Sequence, residues 1–384
     1  MTDLLGALES WAEVLETSPS LIPLLYWRLR QWSDGLVPES VLNVLRSHYR
    51  ANARRNLRLL QHLVRIVRCF EQAGLEAIPF KGLTFALSAY GDIGVRPFAD
   101  LDLLMRKAGV RPACELLAAQ GYRSVYSLQG DRLDYWLKYD KHILLTSSHD
   151  HHRLEIHWSI EDDYMHGSLP ADELWKGIGR LNFGAAVLPV LSPENTLLVS
   201  CLHATKHTWL LSQVVDFAYF ITAHPDLDWQ LILHRARRGG LLRILALGLG
   251  LAEALCGLTV PRDVQGVVRT DGWTARTLAR LAYEIPRREE PPSDITGVRL
   301  YLSARQGFKA RLLSSLAFVL TPKYLDWTAI RLPYALSPLF YLIRPVLLLQ
   351  RQLAGAPRRL RQNSRAQDSG PKQRPDSDSA KTTL

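Results

Sequence analysis

The sequence predicts an α+β protein: a small mixed β-sheet with helices packed on it, followed by a helical domain. Three observations carry this. Short apolar or alternating runs at 77–80, 100–105, 122–128, 141–146 and 153–160 are separated by turn residues or short helical patterns. Their order is strand, helix, strand, helix, then strands joined by hairpins. Beyond Ser192-Pro193-Glu194 the apolar periodicity becomes helical.

Taken in order, residues 1–50 read as helices, with Leu4, Leu5, Leu8, Trp11 and Leu15 at helical spacing and breaks near Pro19 and Pro38. Residues 51–73 read as one amphipathic helix closed by Gly74, its apolar stripe formed by Leu57, Leu60, Leu63, Val64, Val67 and Phe70. A buried strand at 77–80 ends at Lys81-Gly82, and a short helix at 84–90 is closed by Gly91. A helix is expected at 109–120, a polar turn at 130–135 and a tight polar turn at 147–153. Further helices are expected at 196–209, 240–258 and 275–285, with an exposed linker at 287–293. The apolar stretch 240–258 contains Arg243 and Glu253, which suits a core helix better than a membrane span.

With 384 residues, 47% of them hydrophobic, the chain is long enough for two domains with developed cores. Cys69, Cys114, Cys201 and Cys256 are scattered without a Cys-x-x-Cys pair, which suggests neither a zinc site nor a disulfide framework. No basic segment followed by a long apolar core opens the sequence, so a cytoplasmic protein is expected. The formal charge of +10 permits attraction to nucleic acid, acidic lipids or nucleotides and selects none of them. Residues 332–350 are apolar and aromatic, but Pro333, Pro338, Pro345 and Arg344 argue against a transmembrane helix. With Arg351, Arg358, Arg359 and Arg361 following, the stretch 332–361 suits either an acidic membrane surface or packing against the rest of the protein or a dimer partner. From residue 362 the composition predicts a disordered tail.

The chemistry-bearing residues cluster around two alternating runs. Asp100 and Asp102 stand at i and i+2, so a strand points both to one face, roughly 6.5–7 Å apart at the backbone. They can converge on one hard cation, or on two ions about 3.5–4 Å apart. Unpaired, the two carboxylates repel, and a divalent metal removes that repulsion. Glu155 is the candidate third acid, sharing its strand face with His157 while Leu154, Ile156 and Trp158 take the other. Arg96 is placed to pair with these acids or with a phosphate. His203, Lys206 and His207, at i, i+3 and i+4, share one helical face that suits a triphosphate or is simply half-exposed. Asp216 is expected to cap or pair with His203 or Lys206, and His149, His151 and His152 form either a turn or a transition-metal site.

The ordered set Lys81-Gly82, Arg96, Asp100-x-Asp102 and Glu155-x-His157 resembles the uncharacterised nucleotidyltransferase family of the DNA-polymerase-beta-like superfamily, over roughly residues 50–260. The resemblance implies a catalytic domain at 51–190, between an N-terminal helical segment at 1–50 and a helical domain at 191–290. A C-terminal amphipathic and basic extension at 291–361 and the tail at 362–384 complete the expected organisation. It further implies transfer of an NMP from an NTP, ATP foremost, to an acceptor hydroxyl with release of pyrophosphate. Asp100, Asp102 and Glu155 would bind Mg²⁺ or Mn²⁺. The alternative is a non-catalytic nucleotide- or partner-binding protein that keeps the fold, with or without membrane association through its C-terminal segment. Where the superfamily usually has Gly-Ser at the helix start, this sequence has Lys81-Gly82-Leu83-Thr84. Lys81, the amides of Gly82 and Leu83, and the Thr84 hydroxyl are therefore all candidates for holding the triphosphate.

Overall fold

The structure, a computed structural model, describes residues 18–31, 37–126, 131–165, 168–184, 186–260, 262–268, 271–288, 292–330 and 332–353. The helical spacing read at 1–17, and the basic cluster and tail beyond 353, lie outside these residues. Among the described residues the first two α-helices are α1 (Ile22–Leu29) and α2 (Glu39–Gln72). The next elements are β1 (Ala77–Phe80), α3 (Gly82–Tyr90), β2 (Asp100–Met105), α4 (Val110–Ala119), β3 (Tyr122–Ser124), α5 (Asp131–Tyr139), β4 (His142–Ser147) and β5 (Arg153–His157). A short helix α6 (Ala171–Leu174) and a hairpin of β6 (Gly179–Phe183) and β7 (Ala186–Val190) follow. The helical part runs through α7 (Pro193–Lys206), α8 (Leu211–Ala223), α9 (Trp229–Gly239), α10 (Leu242–Cys256), α11 (Arg262–Val268) and α12 (Gly272–Glu284). It ends with α13 (Asp294–Ala304), α14 (Phe308–Leu320), α15 (Tyr324–Ala329) and α16 (Phe340–Leu353).

The α+β expectation holds. Five strands form one mixed sheet in the order β1-β2-β5-β4-β3. β2 and β5 run parallel, and the other neighbours are antiparallel. Period-2 alternation divides the sheet's side chains between two cores. Leu101, Leu103, Ile143, Leu145, Leu154 and Ile156 pack against Leu63, Ile66 and Phe70 of α2 and Val110, Ala113 and Leu117 of α4. On the opposite face Ile78, Phe80 and Leu104 join the larger core built with α7, α8 and α10. Asp102 is paired in register with Phe80 on one side and Glu155 on the other, so the acidic residues stand on that second face, under the helical part.

Several elements differ from expectation: the strands read at 122–128 and 153–160 end at Ser124 and His157, the β6–β7 hairpin falls where no strand is expected, and two helices differ as well. The helix read at 51–73 begins at Glu39, because Pro38 starts it and neither Gly nor Pro interrupts the sequence before Gly74. The turn read at 130–135 is the start of α5. Leu133 and Trp136 reach the core under the sheet, while Tyr135 and Tyr139 pack with Phe340 of α16. Burial on both sides outweighs the polar density of Asp131, Arg132 and Asp134 that suggested a turn.

One close approach fixes the end of α7. A Cβ at Gly297, on α13, would overlap the backbone carbonyl of Lys206. Gly297→Ala therefore forces the two helices apart and is expected to destabilise the protein by about 1–3 kcal/mol. Urea unfolding of the variant beside wild type measures this, and an unchanged midpoint would contradict the contact.

Candidate active site

The Lys81–Gly82 junction between β1 and α3 begins the site. Lys81 has φ 60° and ψ −153°, a conformation that residues other than glycine rarely adopt. The turn aims the ammonium back over the sheet, 4.8 Å from the Phe80 ring centroid. Its Nζ donates to Asp102 Oδ1 at 2.9 Å. His157 Nε2 lies 2.9 Å from the same oxygen and 3.1 Å from Glu155 Oε2. Asp102, Glu155 and His157 thus bring three potential metal-ligand atoms within 4.8 Å of one another. Asp100 lines the same cavity two residues earlier on β2, outside that group.

The cavity measures about 390 Å³. Lys81, Gly82, Arg96, Asp100, Asp102, Glu155, His157, His203, Lys206 and His207 all line it. Of the predicted site residues only Thr84 is turned away, its hydroxyl donating to the Lys81 carbonyl at 3.0 Å, where it closes the turn. Lys141, His142 and Asp162 line the cavity too, although their sequence surroundings carry no motif. The β4–β5 register is what sets His142 opposite His157, with ring centroids 5.0 Å apart. Asp162 follows β5 and accepts from Lys141 at 2.7 Å, with Lys206 at 3.6 Å.

Arg96 pairs with none of the three acids. Its Nε meets Asp216 Oδ2 at 2.5 Å, and Asp216 Oδ1 accepts from the Tyr90 hydroxyl at 2.6 Å. Asp216, from α8, therefore braces Arg96 rather than His203 or Lys206. Of the histidine-rich turn, His152 joins Asp150 and His62 of α2. The His152 ring contacts Asp150 through one nitrogen and the Tyr122 hydroxyl through the other, while His62 contacts Asp150 and Arg65. This ties the β4–β5 turn to α2.

The pattern that defines a family described as "Uncharacterised nucleotidyltransferase" matches residues 10–257, reaching further toward the N-terminus than the resemblance at 50–260. The chain belongs to this family. No curated protein matches it. Membership makes the chain a nucleotidyltransferase-domain protein and fits a nucleoside triphosphate as substrate. The matched stretch supplies every cavity-lining residue named above.

Electrostatics separate the carboxylates. Burial pushes the Asp100 carboxyl up to about 6, with Asp102 and Glu155 adding to the shift. Burial acts the same way on Asp102, but Lys81 and the hydrogen bond from His157 outweigh it and hold the group well below the usual carboxylate range. For Glu155 the His157 hydrogen bond overcomes burial and lowers the pKa to about 2. Burial, then repulsion from Lys81, holds His203 well below the usual imidazole value. Burial and His157 push His142 down to about 3. Burial lowers Lys141 to about 8 despite its pair with Asp162. The cavity therefore holds ionised Asp102 and Glu155 beside neutral His142 and His203, with Asp100 the carboxyl that titrates nearest neutrality.

Two consequences are measurable. Lys81→Gly removes both the charge and the backbone strain, whereas Lys81→Ala removes only the charge. The glycine variant is expected to be the more stable by about 1–3 kcal/mol in chemical denaturation. The second concerns Asp100, whose raised folded-state pKa makes its ionised form destabilising. Its contribution is absent below the unfolded value of 3.8 and grows as pH rises through about 6. Without added metal, Asp100→Asn should raise the melting temperature at pH 8, and the gain should vanish toward pH 4.

Proposed function

We propose that this cavity transfers an NMP from an NTP, ATP foremost, to an acceptor hydroxyl. The observation that carries the reading is the convergence of Asp102, Glu155 and His157 beneath Lys81 and across the cavity from His203 and Lys206. Acids and cations gathered in one small cavity match a metal-bound polyphosphate. Lys81 and Arg96 are each paired within the protein, with Asp102 and Asp216, and Lys141 and Lys206 share Asp162. Metal and polyphosphate therefore enter most favourably together, each offsetting the charge the other brings.

The donor set fits Mg²⁺ or Mn²⁺. Asp102 and Glu155 supply hard oxygen ligands within reach of each other, and Asp100 stands alongside with a carboxyl that a cation would ionise. When bound, the metal would neutralise phosphate charge and favour the attacking oxyanion. The residues have separable roles. His157 donates to both carboxylates and sets their orientation. Lys81, once released from Asp102, is free to hold a phosphate oxygen, with the Gly82 amide beside it at the start of α3. Arg96, braced by Asp216 and Tyr90, presents a fixed guanidinium to the phosphates. His203, Lys206 and His207 close the opposite wall. In the reaction the acceptor oxygen forms a bond to the α-phosphorus and loses its proton. The bond from that phosphorus to the bridging oxygen breaks, and pyrophosphate leaves.

One observation favours a second reading. The Lys81–Asp102 pair already satisfies the central carboxylate. If it never opened, the fold would serve as a nucleotide- or partner-binding module.

Incubation with each NTP labelled at the α-phosphate, Mg²⁺ or Mn²⁺, and cell extract as acceptor source separates the two. Label transfer by wild type, and its loss by at least roughly a hundredfold in Asp102→Asn with a folded circular-dichroism spectrum retained, is the expected result. Transfer retained in Asp102→Asn would remove the assignment. Nucleotide binding without transfer would favour the binding module.

A further inference from the structure

The C-terminal helices carry a surface that the cavity does not use. Along α14, Phe308, Leu312, Leu313, Leu316 and Val319 are exposed, at spacings that place them on one side of the helix. α16 and the 3₁₀ turn before it repeat the pattern with Leu336, Leu339, Leu342, Val346 and Leu349. Phe308 and Leu342 are 77% and 76% exposed, unlike ordinary scattered surface leucines. The two helices pack on each other, and Arg344 of α16 donates to the Phe318 carbonyl of α14 at 3.4 Å.

Charge says what covers this surface. Between residues 295 and 367 the sequence holds twelve Lys or Arg and a single acid, Asp326. That balance is +11, against +10 for the whole chain, so the rest of the protein is close to neutral at −1. Asp326 is fully buried and paired with Arg344 and Arg351, so it offers no negative charge at the surface. Lys309 and Arg311 are exposed beside Phe308 and Leu312. Arg358, Arg359, Arg361 and Arg365 follow α16 in the sequence. Aliphatic stripes on two helices that carry cations and no acid of their own match acyl chains under anionic headgroups. A second copy would set two strongly positive stretches against each other. Nucleic acid would leave the leucines unburied.

From this we infer that α14 and α16 form a docking face for the surface of an anionic phospholipid bilayer. The helices lie in the interface and do not cross it, since among the described residues no helix is long and apolar enough to span a membrane. Of the stretch 332–361 read from the sequence, residues 336–349 supply half of the face, and α14 supplies the rest. This inference is independent of the proposed chemistry.

Co-sedimentation of the full chain with vesicles tests it, using phosphatidylcholine alone and phosphatidylcholine mixed with phosphatidylserine. The protein should pellet with the mixed vesicles, bind neutral ones far less, and be released by high salt. Leu313→Asp with Leu342→Asp should weaken binding roughly tenfold or more, with the melting temperature unchanged because both side chains are exposed. Absence of binding, or equal binding by the double variant, would overturn the proposal. So would a wild-type dimer in light scattering that the double variant converts to monomer, which would assign the face to a second copy.

Discussion

The Asp102 carboxylate is the constraint around which the rest of the site is arranged. It is buried on the face of a five-stranded sheet, in register between Phe80 and Glu155. An ionised group there needs partners, because desolvation works strongly against it. Lys81 and His157 provide them, and both are held by costly or specific means. Lys81 occupies backbone angles suited to glycine. His157 has its Nδ1 buried without a hydrogen-bond partner while its Nε2 serves two carboxylates. Strain and an orphaned buried polar atom at one carboxylate mark a place where stability has been given up for geometry.

Around that centre the cations come in braced pairs. Asp216, itself held by the Tyr90 hydroxyl, holds Arg96, and Asp162 gathers Lys141 and Lys206. The braces come from distant parts of the sequence, so the cavity's charge pattern exists only once the sheet and the helical part are packed together. Local opening of either layer would scatter the cations as well as the acids.

Much of this was legible in the sequence, for identifiable reasons. β1 and β2 agree with the expected runs because Lys81-Gly82 ends the apolar run of the first and alternation marks the start of the second. Asp100, Asp102, Glu155 and His157 stood out because they occupy inward positions of such strands. Lys141, His142 and Asp162 did not, since they sit at a strand end and in a loop; the β4–β5 register brings His142 in, and Asp162 enters by pairing with Lys141 and Lys206. The partner of Arg96 was invisible for a similar reason: Asp216 is 120 residues away on a helix whose packing no local pattern specifies. α5 was hidden by charges near its start, although both of its sides are buried.

Gly297 connects parts of the chain that the family match separates. The matched stretch ends at residue 257, yet the carbonyl of cavity-lining Lys206 rests against a glycine of α13, beyond that end. The cavity wall thus has a buttress outside the stretch that defines the family. A fragment cut at the end of the match would keep every cavity-lining side chain and lose the part that sets the clearance behind one of them. Composition of the site and tolerance of the site are therefore inherited from different lengths of the same chain.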